Sequence, residues 1–585
     1  MYSDNRMILQ LISLMKQHGI RRVVISPGSR HFPLIHSMEN DDWFILYSVV
    51  DERSAAFFAL GLIQQTGEPA AVCCTSGTSA INYGSAVVEA FYQGLPLVLL
   101  TADRLPELLN QKEEQMFQQH DVYEGFIKYQ GQLKVVNDPL SEWYCNRIIN
   151  EAFLALDHHG KGPVHINFPV ETHHQDKFRT KELPVARKIS RVGADADTDV
   201  WADYAAQLEN RKILIVWGQG NPMDDKMRQA LDLFAERFNC VILADKLSNC
   251  HHPRAIGSAF QALCSMTRAQ KRQLAPDIVI SLYGNYTFNG EIRGYLRSTG
   301  KPFECWDIGK SEVCDPFRRL TTIFAMNEAF FFRTIANYSI SAATGSYYDG
   351  WARVEAAIVE PEVEYSEIYA IGQLMRKLPE HSILQIANSL PIRLTQLFRA
   401  DRSVRSFCNR GVNGIDGCMS TAVGYAAATD DPVFLVIGDL TFFYDMNALW
   451  NRHLSKNLRI LMLNNEGGGV MHMPLSESLA PLLTRHVSAG HVTSAKGWAE
   501  SLGIRYYPVT SREECNQAID LLTDLAEPGP ILVEAFSRKE DDVRAFKSYL
   551  QSIRKDSMDK SLKGRVKRKI SRLLRKIPAL KPARA

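Results

Sequence analysis

The chain has 585 residues, of which 45% are hydrophobic and 23% charged, with 36 Gly and 25 Pro. This composition is that of an ordinary globular protein and excludes a disordered, collagen-like or coiled-coil chain. At about 150 residues per domain, the length indicates four domains or fewer. The formal net charge is only +2. It conceals an asymmetry, because residues 560–585 hold eleven Lys and Arg and no Asp or Glu, which leaves the preceding residues acidic at −9.

The beginning of the sequence predicts no targeting segment. Met1 to Arg6 lead directly into an amphipathic pattern, without the basic and then apolar regions of a signal peptide. No apolar run is long enough to predict a transmembrane helix. The eleven cysteines are scattered at irregular spacings, which is not the pattern of a disulfide framework. We therefore expect a reducing, cytoplasmic location.

Short apolar runs recur along the chain, each followed by a loop and a helical pattern. They are residues 22–25, 70–74, 97–100, 164–167, 213–216, 241–243, 278–280, 303–306, 383–386, 433–437, 460–463 and 531–533. Continuous apolar runs of this length between helices indicate parallel strands that are buried on both faces. The pattern occurs three times, so the predicted fold class is α/β, with three doubly wound parallel-sheet domains. The expected boundaries are 1–185, 195–345 and 360–540, with a helical, basic tail at 541–585.

Two strand-end loops in the last third carry the clearest chemical signal. Gly438-Asp439 follows one predicted strand, and Asn464-Asn465 follows the next. Ligands of open parallel sheets bind at the carboxyl ends of the strands. Carboxylate and amide oxygens suit Mg²⁺, and the start of a helix suits a diphosphate. The pair therefore predicts a site for a metal ion and a diphosphate.

Loops of the first third are small and polar where strands end. They are Ser26–Arg30, Thr75–Ser79 and Thr101–Arg104, and a further acid, Glu52, opens a helix rich in Ala and Phe. Ser, Thr and Asp at a helix start are also the usual capping residues, so each loop taken alone fits a structural role as well.

Together these motifs resemble a known enzyme superfamily. Gly438-Asp439 with Asn464-Asn465 matches the thiamine-diphosphate motif of the pyruvate-decarboxylase and acetolactate-synthase superfamily, and Glu52 matches its cofactor-activating acid. Within it, Ser26–Arg30, Thr101–Arg104 and the Asn-Arg-Gly-Val-Asn-Gly-Ile-Asp-Gly block at 409–417 are similar to the menaquinone-pathway synthase family. The resemblance covers about residues 1–550. It implies a pyrimidine-binding first domain, a cofactor-free middle domain and a diphosphate-binding third domain.

The resemblance also implies an activity and an assembly. The cofactors are thiamine diphosphate and Mg²⁺ or Mn²⁺. The enzyme decarboxylates a 2-oxo acid, 2-oxoglutarate, and adds the succinyl carbanion to an anionic acceptor, isochorismate. The active site lies at a dimer interface, in a homodimer or homotetramer, and joins Glu52 of one chain to Asp439 of the other.

Individual residues take roles from the same resemblance. Glu52 activates the aminopyrimidine ring of the cofactor, Gln115 lies near the reacting centre, and Ile415 packs under the cofactor. Arginines are expected as bidentate clamps because both substrates are polyanions. The implied metal ligands are Asp439, Asn465 and the carbonyl of Gly467. Further implied cofactor contacts are Ser389, Gly438, Thr441 and Gly468. The implied substrate-binding residues are Ser29, Arg30, Arg104, Arg393 and Arg410.

Three departures from the family pattern bear on the acceptor. Asn289-Gly290 stands where the family has Ser-Lys, Val470-Met471 stands for Ile-Phe, and His120-Asp121 stands for Pro-Gly. An alternative is therefore the same cofactor chemistry with another acceptor. A non-catalytic cofactor-binding paralogue is a third interpretation, which the retained motif acids oppose. His31, His120 and His472 lie near these loops, either as acid-base groups or as structural histidines.

The basic tail forms an amphipathic pattern. Leu562, Val566, Ile570, Leu573 and Ile577 fall on one helical stripe among Lys and Arg, and Pro578 ends it. A helix of this kind can lie on an anionic membrane surface. We expect peripheral membrane or partner contact through residues 560–577. Docking on the acidic body or nonspecific nucleic-acid contact is the alternative, and no specific nucleic-acid partner is expected.

Overall fold

A computed structural model describes residues 1–170, 177–309, 312–339, 341–343, 345–473 and 486–555. The apolar stripe predicted at 562–577 lies outside these residues. No helix within the described ranges is both long and apolar enough to cross a membrane.

Strands and helices alternate through the described chain. The strands are β1 (Arg22–Ile25), β2 (Ile45–Ser48), β3 (Ala70–Cys74), β4 (Leu97–Asp103), β5 (Tyr129–Gln132), β6 (Val164–Pro169), β7 (Ser190–Gly193), β8 (Ile213–Trp217), β9 (Cys240–Ala244), β10 (Ala255–Ile256), β11 (Ile278–Leu282), β12 (Glu304–Ile308), β13 (Leu320–Ala325), β14 (Ile383–Ile386), β15 (Arg405–Phe407), β16 (Val433–Gly438), β17 (Leu458–Asn464), β18 (Arg505–Val509) and β19 (Ile531–Phe536). The α-helices are α1 (Arg6–Gln17), α2 (Phe32–Glu39), α3 (Glu52–Thr66), α4 (Thr78–Asn82), α5 (Gly84–Gln93), α6 (Pro139–Ala155), α7 (Thr198–Leu208), α8 (Asp225–Arg237), α9 (Ala259–Ser265), α10 (Arg268–Gln273), α11 (Asn289–Ser298), α12 (Glu328–Asn337), α13 (Tyr347–Ala356), α14 (Glu367–Lys377), α15 (Leu390–Thr395), α16 (Cys418–Ala427), α17 (Asp439–Tyr444), α18 (Lys496–Ser501), α19 (Arg512–Thr523) and α20 (Lys539–Lys555).

The chain divides into two compact units, of which the first comprises Met1–Gly193 and Lys310–Ala325. Its six-stranded parallel sheet has the order β2-β1-β3-β4-β6-β5. Apolar side chains of α1, α2 and α6 pack with one set of strand residues, and those of α3 and α5 pack with the other. The sheet is therefore covered on both faces, which is why its central strands are apolar throughout. β7 and β13 form a further parallel pair.

The second unit comprises Ala194–Gly309 and Met326–Ala585. It contains five parallel strands in the order β10-β9-β8-β11-β12. A separate six-stranded parallel sheet has the order β15-β14-β16-β17-β19-β18. The core on one side of this sheet includes α14, α15 and α19, and that on the other includes α16 and α18.

The predicted α/β class with parallel sheets is confirmed, and every predicted strand overlaps an observed one. The predicted division into three domains remains a prediction. Strands that the sequence did not reveal include β2, β5, β15 and β18, which lie at sheet edges. Most of their residues are only partly buried, so they lack the continuous apolar run that marks a central strand.

Two histidines of the first unit are fully buried. His31, at the start of α2, bonds the carbonyl oxygen of Ser26 through Nε2 at 2.9 Å. His165 on β6 lies 2.7 Å from the hydroxyl of Thr101 through Nε2. Burial lowers the pKa of His31 to about 4 and that of His165 to about 3. His31 therefore serves the packing of its loop as a neutral side chain.

These two groups make the stability of the protein depend on pH. Their folded-state pKa values lie below the unfolded value of about 6.5, so the unfolded chain binds more protons as the pH falls. We predict that the free energy of unfolding is at its full value above pH 6.5 and falls by roughly 1–2 kcal/mol per histidine between pH 7 and pH 5. Urea denaturation at the two pH values measures this difference. His18, whose pKa burial also lowers to about 4, adds to the same dependence. A His31→Gln variant should lose the part due to that one histidine, roughly 1–2 kcal/mol, and an equal dependence in that variant would contradict the assignment.

Candidate active site

Asp439 and Asn465 are brought together by the pairing of two adjacent strands. In the register of β16 and β17, Gly438 pairs with Leu463, so both strands end at the same edge of the sheet. Asp439 is the first residue of α17, and both side chains are only 3% exposed. The sheet therefore places a carboxylate and an amide at one buried position, as the sequence predicted.

Backbone groups surround the carboxylate of Asp439. Its Oδ2 accepts a hydrogen bond from the amide of Gly467 at 2.8 Å, and its Oδ1 accepts one from the amide of Leu440 at 2.6 Å. His491 Nε2 lies 3.2 Å from Oδ2. Burial raises the pKa of Asp439 against the opposing effect of these hydrogen bonds. A positively charged partner would stabilise the ionised form of this buried carboxyl group.

The loop after β17 is shaped to approach that carboxylate closely. Gly467 has φ of +139°, and a Cβ there would lie 2.5 Å from the carbonyl oxygen of Ser488. Only glycine therefore fits this position without displacing the backbone. Gly468, which is partly buried, donates its amide to the same Ser488 oxygen at 2.6 Å.

These residues fit a magnesium ion. The Oδ1 atom of Asn465 is buried and has no hydrogen-bond partner among the described residues. A carboxylate, an amide oxygen and a backbone carbonyl form the oxygen set that Mg²⁺ prefers. In the described part of the chain, no three His, Cys, Asp or Glu side chains form a cluster that could hold a metal. A metal at this edge would thus depend on the amide and backbone oxygens as well as on Asp439.

Two arginines follow the strands at this edge: Arg393 is on α15, after β14, and Arg410 is on the loop after β15. Asn388 donates through Nδ2 to the carbonyl oxygens of Asn409 and Gly414 at 2.7 and 2.6 Å, and its Oδ1 accepts from Arg410 Nη1 at 3.2 Å. Arg393 donates to the carbonyl oxygen of Ser389, the residue before α15. Burial and the charge of Arg410 lower the pKa of Arg393. Neither guanidinium forms a salt bridge within the described ranges, so the pair is suited to an anion.

The remaining predicted residues of the second unit are distributed around the same loops. Ser389 precedes α15 with φ of +76°, a strained value for a serine. Gly438 caps α17, and Thr441 on that helix is buried. Ile415 is partly buried in the loop after β15.

In the first unit, Arg30 and Arg104 lie at the ends of β1 and β4. Arg30 is 6% exposed and donates through Nε to Ser76 Oγ at 3.2 Å. Arg104 forms a salt bridge of 3.0 Å with Glu113. Burial, with the charge of Arg104, lowers the pKa of Arg30. Asp103 between them is buried, which raises its pKa.

Gln119, which the sequence did not single out, fixes the loop that carries Gln115. Its Oε1 accepts from the amide of Gly77 at 2.7 Å, and its Nε2 donates to Asn167 Oδ1 at 2.9 Å. Gln115 is exposed, with φ of +49°, and its backbone lies against Gly77. The buried amide therefore ties this loop to the ends of β3 and β6.

Glu52 and Ser29 are the other predicted residues of this unit. Glu52 is the first residue of α3, which Asp51 caps by accepting a hydrogen bond from the amide of Ser54 at 2.7 Å. Its side chain is partly buried, and Ser29 is exposed.

Two further histidines have local partners: His120 Nδ1 lies 2.6 Å from Asp121 Oδ1, and His472 Nε2 lies 2.7 Å from Ser488 Oγ.

The sequence also missed the acids and the lysine around Asn465. Glu367, Asp542 and Lys539 are buried beside it, at the starts of α14 and α20. For Lys539, the sequence offers one signal, its position shortly after a predicted strand. Glu367 offers none, because it is distant from Asn465 in sequence and simply follows Ser366, which caps its helix.

Comparison with known proteins identifies the class. The model of the thiamine pyrophosphate enzyme N-terminal TPP binding domain matches residues 8–124. The model of the thiamine pyrophosphate enzyme C-terminal TPP binding domain matches residues 389–535. These ranges contain the strand-end loops described above, so the chain is of the thiamine-diphosphate enzyme class.

Full-length relatives identify the family within that class. A protein of Phocaeicola vulgatus named 2-succinyl-5-enolpyruvyl-6-hydroxy-3-cyclohexene-1-carboxylate synthase is 40% identical over 95% of this chain and 99% of its own. Proteins of the same name from Bacteroides thetaiotaomicron and Flavobacterium johnsoniae are 40% and 31% identical, over 95% and 93% of this chain and 100% and 98% of theirs. The chain belongs to this synthase family, as the sequence motifs predicted.

Proposed function

We propose that the protein forms 2-succinyl-5-enolpyruvyl-6-hydroxy-3-cyclohexene-1-carboxylate in menaquinone biosynthesis. It decarboxylates 2-oxoglutarate and joins the remaining four-carbon unit to isochorismate, with thiamine diphosphate and Mg²⁺ as cofactors. The observation that carries the proposal is the pairing of Asp439 and Asn465 at one sheet edge, in a chain 40% identical to synthases of this name over nearly its whole length.

Thiamine diphosphate, when bound, supplies the carbon nucleophile and the electron sink for decarboxylation. The proposed roles of the chain's own residues are to bind the metal ion and the cofactor and to hold a proton. Asp439, the amide oxygen of Asn465 and the carbonyl of Gly467 are the proposed Mg²⁺ ligands. Ser389, Gly438, Thr441, Gly468 and Ile415 are the proposed cofactor contacts. Glu52 is proposed to hold a proton at the aminopyrimidine nitrogen, and the exposed Gln115 to contact the reacting centre.

The arginines are proposed to bind the carboxylates of the two substrates. Arg410 is buried and Arg393 partly buried, burial and the charge of Arg410 lower the pKa of Arg393, and neither forms a salt bridge within the described chain. A dianionic substrate would neutralise both through bidentate hydrogen bonds. Arg30 and Arg104, with the neighbouring Ser29, are the proposed substrate-binding residues of the first unit, where Arg104 also pairs with Glu113.

The replacement Glu52→Gln tests the proposed acid. We predict that turnover of 2-oxoglutarate with isochorismate falls at least 100-fold, since an amide cannot exchange a proton with the cofactor. Binding of thiamine diphosphate with Mg²⁺, followed by titration calorimetry, should remain. CO₂ release and adduct formation measure turnover.

The matched control is Glu68→Gln, an exposed glutamate of the same unit that pairs with Arg22. It should leave turnover unchanged. Unchanged turnover in the Glu52 variant would refute its role. Decarboxylation by the unaltered protein without adduct would refute isochorismate as acceptor and favour a different one, whereas no binding of the cofactor would refute the proposed function.

We also propose that the protein works as a homodimer or a larger homo-oligomer. Several large apolar side chains of α3, α4 and α5 are exposed: Phe57, Phe58, Ile81 and Tyr92, the last by 75%. Exposed large apolar side chains on neighbouring helices are typical of an interface between subunits. Light scattering should give at least twice the chain mass of 66.0 kDa. Tyr92→Glu should lower that mass, and Val185→Glu, at an exposed position elsewhere, should not.

For location, we propose a cytoplasmic enzyme that contacts anionic membranes through residues 560–577. The support is the basic amphipathic pattern of that segment. Flotation with vesicles containing anionic lipid should carry the full chain but not a chain that ends at Ile553. Equal flotation of the two would contradict the proposal, as would flotation that survives 0.5 M salt undiminished, because screening weakens contact between basic residues and lipid.

A further inference from the structure

Glu367 occupies an unusual position for a carboxyl group. It is the first residue of α14 and is 4% exposed, close to the proposed metal ligands. Its Oε1 accepts a hydrogen bond from Asn465 Nδ2 at 2.9 Å. Burying a carboxyl group costs free energy unless its hydrogen bonds and charge are used. The contact with Asn465 is therefore the feature that needs an explanation.

That contact, together with a side-chain hydrogen bond to Asp542, determines which way the Asn465 amide faces. An asparagine side chain has a donor end and an acceptor end of nearly the same shape. With its NH₂ group bound to a carboxyl oxygen, Asn465 keeps Oδ1 for another partner, and Oδ1 is buried with no partner in the described chain. Rotation of the amide by 180° would set two oxygens against each other and turn NH₂ toward the metal position.

Glu367 is itself held from a second helix. Its backbone amide donates to Asp542 Oδ1 at 2.8 Å, and Ser537 Oγ donates to Asp542 Oδ2 at 2.8 Å. Lys539, on the same helix as Asp542, donates to the carbonyl oxygen of Glu466 in the loop after β17. The starts of α14 and α20 thus fix both the acid and the loop that it contacts.

We propose that Glu367 is a positioning residue that orients the amide of Asn465, so that its oxygen is presented to Mg²⁺. The inference rests on the proposed function, because it assumes that Asn465 is a metal ligand. The acid does not touch substrate or cofactor; it acts through Asn465. Groups that orient a metal ligand in this way typically change metal affinity by 10- to 100-fold when they are replaced.

The experiment measures metal binding rather than turnover. Purified protein with thiamine diphosphate is titrated with Mn²⁺, and free Mn²⁺ is followed by electron paramagnetic resonance. Glu367→Gln keeps the size of the side chain but removes one of the two carboxyl groups that hold the Asn465 amide, and leaves Asp542 in place. We expect its Mn²⁺ affinity to fall at least 10-fold, with thermal unfolding without metal near that of the unaltered protein.

A reciprocal exchange separates orientation from packing. In the double variant Glu367→Gln with Asn465→Asp, the donor and acceptor ends are reversed, and the carboxylate again offers an oxygen to the metal. We expect this pair to recover most of the lost Mn²⁺ affinity. Glu364→Gln, at an exposed glutamate three residues earlier, is the matched control and should bind Mn²⁺ normally.

The outcomes distinguish the inference from the function on which it rests. If the unaltered protein binds Mn²⁺ and thiamine diphosphate and Glu367→Gln binds them equally well, the positioning role is wrong while the proposed function stands. If affinity falls and the reciprocal pair does not restore it, Glu367 acts in some way other than by orienting the amide, and the inference is also wrong. If the unaltered protein binds neither, both proposals fail.

Discussion

The register between β16 and β17 is the constraint on which the proposed metal site depends. Gly438 pairs with Leu463, so Asp439 and Asn465 emerge side by side. A slip of one residue would move one strand by about 3.3 Å relative to the other. This displacement exceeds the length of an Mg–O bond, about 2.1 Å. Apolar residues along both strands hold this register. The hydrophobic core and the chemistry of the site are therefore specified by the same pairing.

Both units use a buried side-chain amide to fix the loops at their sheet edge. In the first, Gln119 bonds the loop after β3 and Asn167 at the end of β6. In the second, Asn388 bonds the loop that carries Arg410. An amide suits this task because it donates and accepts without charge, and thus leaves the nearby arginines available to anions. The loops are therefore held to one another by buried, uncharged hydrogen bonds at the sheet edge.

What could be predicted from the sequence follows from how each feature is encoded. Central strands such as β3 and β16 are buried on both faces, so each is a continuous apolar run that can be recognised alone. Edge strands such as β2 and β18 have mixed exposure and leave no such run. Asp439 and Asn465 were predictable because each directly follows a strand. Glu367 was not, because it meets Asn465 only through the packing of α14, 98 positions away.

The network of Asn388 divides the loop at 409–417 into parts with different freedom. Asn409 and Gly414 are held through their carbonyl oxygens, and Arg410 through its side chain. Between them Val412 is 95% exposed and has no such restraint. Sequence drift at the tip of this loop can therefore alter what it presents to a bound molecule without moving the arginine. The loop thus combines a fixed anchor with an unrestrained tip, and Val412 is the position at which protein engineering can reshape the loop while the guanidinium of Arg410 stays in place.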